Sequence, residues 1–218
     1  MNILALETSG KVISLALKTE NQSLELTVNR GFKHVETLMP SVDALMKMGG
    51  IKPGELNLVA CSAGPGSFTA LRIGMSTAKG IAKGASCPIK AVPTLPLLAS
   101  GREHWPGIVV PVMDARKNRV YIAAFRDGAR IREDSDSALE DFLKSLPTDE
   151  NILITGPDAE ISVGYPRVII DPLAASGRGL ALAAKAEKAL EDDGPDPADL
   201  GPLYLRLSEA EAALETAE

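Results

Sequence analysis

An α/β fold made of two similar halves is what this sequence predicts, and three observations carry the prediction. Each half opens with apolar strands, from residue 2 and again from residue 108. Each then adds segments with helical apolar spacing. Between them Trp105-Pro106-Gly107 interrupts the pattern, which places two domains over residues 1–104 and 105–218. A chain of 218 residues accommodates two units of about 100 residues each. Aromatic residues make up 4% of it and hydrophobic residues 45%, so aliphatic side chains fill the core.

The first half reads as a three-stranded antiparallel meander. Residues 2–7 form a buried strand, residues 12–19 alternate, and Leu24, Leu26 and Val28 mark a third strand after the turn at Glu20-Asn21-Gln22. A helix follows, with Val35, Leu38, Met39, Val42, Leu45 and Met46 at helical spacing, and Gly49-Gly50 ends it. A start near Glu36 puts Pro40 in the first turn, where no backbone donor is needed; an earlier start puts it inside the helix. Residues 56–62 are the next strand, residues 67–84 a helix, residues 88–92 a strand and residues 94–104 a third helix. In the second half, residues 108–113 and 120–125 are strands and Asp127-Gly128 is a hairpin signal. A helix over 138–146, strands over 151–155 and 167–170, and an alanine-rich helix over 179–190 complete the core. Residues 191–199, EDDGPDPAD, read as an acidic linker, and residues 208–218 as a last helix.

Charge narrows the function classes. A net charge of −6 argues against a general nucleic-acid binder, which needs clustered Lys and Arg. The exception is residues 116–132, where Arg116, Lys117, Arg119, Arg126, Arg130 and Arg132 stand against the single acid Asp127. This is either the wet face of a hairpin or a patch for RNA or an acidic partner. The first ten residues carry no basic start or cleavage site, and no segment reaches the roughly 20 apolar residues of a membrane span, so the expected location is the cytoplasm. Two cysteines, Cys61 and Cys87, are too few to staple such a fold.

The clearest local feature is the run Gly64-Pro65-Gly66-Ser67-Phe68-Thr69 between a strand and a helix. Glycines there admit close backbone approach, and helix-start N–H groups favour an anion; the alternative is a tight turn with Ser67 as N-cap. The helix behind it repeats Ala70, Gly74, Ala78 and Ala82 every four residues, a smooth strip that either packs on its own sheet or receives a partner. Glu7 and Asp114 each end an apolar strand, as phosphate-handling carboxylates do, or as turn caps do. His34 has Leu38 four residues on, so the two-His pattern of a helical metal site is missing, and no catalytic or metal-binding set is expected.

Five segments occur in order: Leu4-Ala5-Leu6-Glu7-Thr8-Ser9; His34-Val35-Glu36-Thr37-Leu38-Met39-Pro40; Gly64 to Gly74, reading GPGSFTALRIG; Asp114-Ala115-Arg116-Lys117-Asn118-Arg119-Val120-Tyr121; and Pro202-Leu203-Tyr204-Leu205-Arg206. Together they closely resemble the TsaB (YeaZ) family of bacterial tRNA threonylcarbamoyladenosine biosynthesis proteins, over nearly the whole chain except about residues 134–201. The resemblance implies two ribonuclease-H-like domains of the actin-like ATPase superfamily, each a mixed sheet with flanking helices, with the last helix returning toward the first domain. It implies a non-catalytic partner of TsaD, which transfers threonylcarbamoyl to the adenosine beside the tRNA anticodon, working with the ATPase TsaE. Contact with TsaD, or with a second copy as a homodimer, is expected through His34, Leu38, Met39, Val42 and Met46 of the first helix and Leu71, Gly74, Met75 and Ala78 of the second. tRNA is met indirectly or through residues 116–132. No cofactor is expected in the free chain, with ATP or ADP entering only in the assembled complex. Thr8, Ser9, Gly64, Gly66, Ser67 and Thr69 then form a vestigial phosphate loop, because Glu7 stands where the family has Asp and Ala70 where it commonly has Gly. The alternatives are a small-molecule kinase or ATPase of the same superfamily and, disfavoured by Leu38, a peptidase.

Overall fold

The computed structural model describes residues 1–206; the helix expected over residues 208–218 lies outside them. β1 (Ile3–Glu7), β2 (Val12–Lys18) and β3 (Ser23–Asn29) form the expected meander. Then come α1 (His34–Gly49), β4 (Leu58–Gly64), α2 (Phe68–Ala85), β5 (Ile89–Pro93) and α3 (Thr94–Ala99). β4 runs parallel to β1 and to β5, so the first sheet is mixed, in the order β3-β2-β1-β4-β5.

The second half repeats this winding. β6 (Ile108–Arg116), β7 (Arg119–Arg126) and β8 (Ala129–Ser137) are an antiparallel meander. After α4 (Leu139–Lys144), β9 (Ile152–Thr155) and β10 (Val168–Ile170) extend the sheet in parallel, and α5 (Gly179–Asp193) closes the series. The order β10-β9-β6-β7-β8 is the first sheet's order seen from the other edge. The turn between β7 and β8 is Asp127-Gly128, both at positive φ (50° and 76°), the geometry that suits a right-twisted two-residue hairpin.

Each sheet is covered on both faces. Leu38, Val42, Leu45 and Met46 of α1 and Met75, Ala78 and Ala82 of α2 pack on Leu4, Leu6, Ile13, Leu15 and Val59. The opposite face of that sheet, Ile3, Ala5, Ala16, Leu58 and Ala60, receives Leu182, Ala183 and Ala186 of α5. Small residues on both sides of that contact let helix and sheet approach closely. The sheet also caps this helix. Ser14 Oγ accepts the Arg178 and Gly179 N–H groups at 3.1 and 2.9 Å, and Glu25 Oε1 accepts the Gly179 N–H at 2.6 Å. Thus α5, the last helix among the described residues, is bound to the first sheet. α4 covers one face of the second sheet, and α3 fills the other with Leu95, Leu98 and Ala99 against Val109, Met113 and Tyr121.

Several boundaries differ from expectation for local reasons. α1 starts at His34, so Pro40 lies inside it and forgoes one i→i−4 bond on the solvent face. α3 stops at Ala99, just before Ser100 takes an extended conformation and Gly101 a φ of 78°. The acidic stretch expected as a linker is docked. Asp196 accepts the Ala91 N–H at 2.7 Å and pairs with the Lys90 ammonium at 3.1 Å, so it edges β5.

Candidate functional site

The loops at the carboxyl ends of β1, β4 and β6 meet the α2 start around a cleft of about 580 Å³ between the two halves. It is lined by Ser9, Gly10 and Lys11 after β1, by residues 66–69 and Arg72 at the start of α2, and by residues 113–117 at the end of β6. Phe32, Tyr121, Asp158 and Arg206 complete the wall.

The glycine run is shaped by its own chain. A side chain at Gly66 would stand 2.5 Å from the Ser9 carbonyl oxygen, and Ser67 N–H donates to that same carbonyl at 2.8 Å. Gly64, at a φ of 114°, leaves room for the Leu203 backbone, whose N–H donates to the Ala63 carbonyl at 2.7 Å. Gly74 is required by Thr8: a Cβ there would overlap the Thr8 hydroxyl, which donates to the Ala70 carbonyl at 3.3 Å. Of the expected vestigial phosphate loop, Ser9, Gly66, Ser67 and Thr69 reach the cleft, while Thr8 and Gly64 face protein.

The two strand-end acids act alike. Ser9 N–H and Ser9 Oγ–H donate to Glu7 Oε1 at 2.8 and 2.5 Å, and Arg116 N–H donates to Asp114 Oδ1 at 2.7 Å. Each carboxylate therefore caps the backbone two residues on, the turn-forming role. Burial pushes the Glu7 carboxyl above its ordinary value, against the hydrogen bonds from Ser9. Glu7 does not line the cleft, and among the described residues no group of three His, Cys, Asp or Glu could hold a metal ion. Both strand-end acids thus hold turn backbone, Glu7 away from the cleft and Asp114 in its wall.

Most of the residues expected at an interface are buried within this chain. Leu38, Val42, Met46, Leu71, Met75 and Ala78 are core residues, Gly74 seats Thr8, and His34 is enclosed with its ring 6.0 Å from Phe32. Burial pushes the His34 imidazole pKa down. Only Met39 of the nine is exposed, at 49%. The four-residue strip on α2 thus serves its own sheet, and the apolar residues that α1 and the loop before it leave in solvent are Val35 (76%), Met39, Met48 and Phe32.

The cationic run 116–132 is also largely satisfied within the chain. Arg119 pairs with Asp136 at 2.6 Å, Arg126 with Glu150 and Arg130 with Asp134, while Arg132 donates to the Ser145 carbonyl. These partners lie outside the window in which Asp127 was the single acid. Arg116 and Lys117 of that run line the cleft, with the Arg116 guanidinium 5.7 Å from the Phe32 ring centroid. Arg116, Lys117 and Asn118 all have positive φ (66°, 54° and 57°), a costly tip for non-glycine residues.

Sequence reasoning missed the work of residues 200–206. This strap crosses from the first sheet to the second. Lys79 donates to the Leu200 carbonyl, Tyr204 stacks on Phe68 at 4.4 Å, and Arg72 Nε donates to the Tyr204 hydroxyl at 2.8 Å. Arg206 then pairs with Asp136 at 2.6 Å and donates to the Ala115 carbonyl. Burial opposes ionisation of Asp136, but Arg206 and Arg119 outweigh it and hold the carboxyl below its ordinary value. The Pro-Leu-Tyr-Leu-Arg run was visible as a motif; its target, 132 residues away from Tyr204, was not.

Two like-wound mixed sheets, helices on their faces and a cleft at the strand ends define a two-domain protein of the actin-like ATPase fold. The family model for TsaD, tRNA N6-adenosine threonylcarbamoyltransferase, matches residues 30–195. The tRNA threonylcarbamoyladenosine biosynthesis protein TsaB of Bacillus subtilis is 32% identical over 97% of each chain. TsaB of Escherichia coli is 35% identical over 58% of this chain and 55% of its own. The solved structure of YeaZ from Pseudomonas aeruginosa superposes with a TM-score of 0.77 at 25% identity, covering 94% of this chain and 99% of that one. The chain belongs to the TsaB (YeaZ) family, whose named members are tRNA threonylcarbamoyladenosine biosynthesis proteins. No helix among the described residues is long and apolar enough to cross a membrane.

Proposed function

We propose that this chain is a non-catalytic partner of a TsaD-type transferase and supports threonylcarbamoylation of the adenosine beside the tRNA anticodon. The observation that carries the reading is the solvent face of α1. Val35 and Met39 lie one turn apart, 76% and 49% exposed, on a helix whose other face is fully engaged with the sheet. An apolar pair of this kind, with adaptable Met, suits a protein partner. The committed state of Glu7 and Asp114 favours a supporting role over nucleotide chemistry.

In this reading the same face also accommodates a second copy when TsaD is absent, and TsaE joins the assembled complex. tRNA is met through that assembly rather than through residues 116–132, most of whose arginines already hold carboxylates. ATP or ADP belongs to the assembly, and the work takes place in the cytoplasm. The test is co-purification with the cognate TsaD, paired with a tRNA-modification assay with and without this chain. The wild type is expected to form a complex at micromolar concentration and to raise modification. The double variant Val35→Glu/Met39→Glu is expected to lose both while remaining folded. A variant that binds and supports modification like the wild type overturns the reading.

A further inference from the structure

Helix α1 leaves one backbone acceptor open beside the face that Val35 and Met39 occupy. In an α-helix the carbonyl of each residue accepts from the N–H four residues on. α1 begins at His34, so Pro40 stands where the donor for the Glu36 carbonyl belongs, and proline has no N–H. By the same count the His34 and Val35 carbonyls face the N–H groups of Leu38 and Met39, so the gap is confined to Glu36. Proline is the least favourable residue for a helix interior. The side chains that seat α1 on the sheet are Leu38, Val42, Leu45 and Met46, while Pro40 is exposed.

The surroundings of that carbonyl are apolar on one side and acidic on the other. Glu36, Pro40 and Asp43 follow one another along a single stripe of the helix, next to the stripe of Val35 and Met39, and all five are exposed. Asp43 is held by Lys47 at 2.7 Å, whereas among the described residues no Lys or Arg pairs with Glu36. In the free chain water reaches the open carbonyl. Once a partner covers the face, that water is excluded, and a carbonyl left unpaired costs the full loss of its hydrogen bond. The covering surface therefore has to bring a donor, and the unpaired Glu36 carboxylate beside it selects a cationic one. A guanidinium carries its donors in a fixed plane and serves a carbonyl and a carboxylate together, which an ammonium does less well.

We propose that the partner seated on α1 places an arginine guanidinium against the Glu36 carbonyl, with Val35 and Met39 in apolar contact beside it. This rests on the reading of α1 as the docking face for a TsaD-type transferase and adds the polar contact that fixes the partner's register. An apolar surface without a donor buries the carbonyl unpaired, so Pro40 also selects against such surfaces.

The experiment is titration calorimetry of the full chain with the cognate transferase, with urea unfolding of the same variants in parallel. Pro40→Ala and Pro40→Leu both return an N–H that closes the helix, and Leu also replaces the apolar bulk of the ring. Both are expected to raise the urea midpoint and yet to weaken binding about tenfold, the loss of one hydrogen bond to a charged donor. Glu36→Gln should weaken binding severalfold at about 0.1 M salt and little at about 1 M, where charges are screened. Pro40 variants that bind as tightly as the wild type overturn the proposal. So does a loss confined to Pro40→Ala, which assigns the effect to the ring's contact area, or a Glu36→Gln variant that binds like the wild type at low salt. Failure of the docking face itself reads differently. Val35→Glu/Met39→Glu abolishes binding where that face is used, whatever the Pro40 variants do; a double variant that binds normally removes the face and the arginine contact together.

Discussion

The β1–β2 and β6–β7 turns occupy equivalent places in two sheets of the same winding and both reach the cleft, yet the first is mostly buried and the second mostly exposed. In the first, Glu7 is buried, holds the Ser9 backbone, and lies under a turn crossed by Gly66. In the second, Asp114 holds the Arg116 backbone in the same way, but the turn stands in solvent and offers Arg116 and Lys117 to the cleft. One capping device therefore serves two ends: closing a loop against α2, and projecting cations over an open wall. A strand-end acid in this fold says that a turn follows; its environment decides whether anything else does.

Substitutions at the two turns can break that comparison. The largest effect is expected at Gly74, where Val would overlap Thr8 and force the first turn away from α2, at a cost of about 3 kcal/mol. Urea unfolding measures it, and a near-neutral result would mean that the α2 strip is not packed as described. Next, Glu7→Ala leaves the Ser9 donors unpaired in the interior and should cost about 2 kcal/mol. Asp114→Ala exposes its partner to water and should cost about 0.5 kcal/mol. Equal losses would remove the distinction between the closed and open turns.

The pH dependence sharpens the same contrast. Glu7 is raised by burial, so the folded state holds its proton more tightly than the unfolded state. Its contribution to stability is present at low pH and falls as pH rises from the ordinary glutamate value through the raised one; Glu7→Gln should flatten that fall. Asp136 is lowered, so its contribution is present above the ordinary aspartate value and is lost as pH drops through the folded value. Asp136→Asn should remove this acid-side loss in melting curves taken across pH. Smallest of all, Met39→Glu on the exposed face should shift stability by no more than about 0.5 kcal/mol in calorimetry. A larger loss would place Met39 in the core.

Much of the fold was legible because the signals were local. Alternation marked β2 and β3, apolar runs marked β1, β4 and β6, and Asp127-Gly128 marked the turn between β7 and β8. The candidate site was legible in part: GPGSFT did lie between a strand and a helix, and Glu7 and Asp114 did hold the turns that follow their strands. Helix faces were harder. Leu38, Met46 and Met75 carry the same side-chain chemistry whether they meet a sheet or a partner, so spacing alone named the apolar stripe without naming what it touches. The cationic run 116–132 misled for a related reason, since Asp134, Asp136 and Glu150 approach it only after the chain folds.

By itself the sequence determined most of the strands and helices, that the pattern occurs twice, and which family the chain resembles, because those depend on periodicity, turn chemistry and motif order. Only the tertiary structure decided that α5 seats on the first sheet, that the glycines serve Ser9, Thr8 and Leu203, and that residues 200–206 strap the halves together at a cationic cleft. Those are close approaches between residues far apart in the chain, set by how the covered faces stack, and no local pattern carries them.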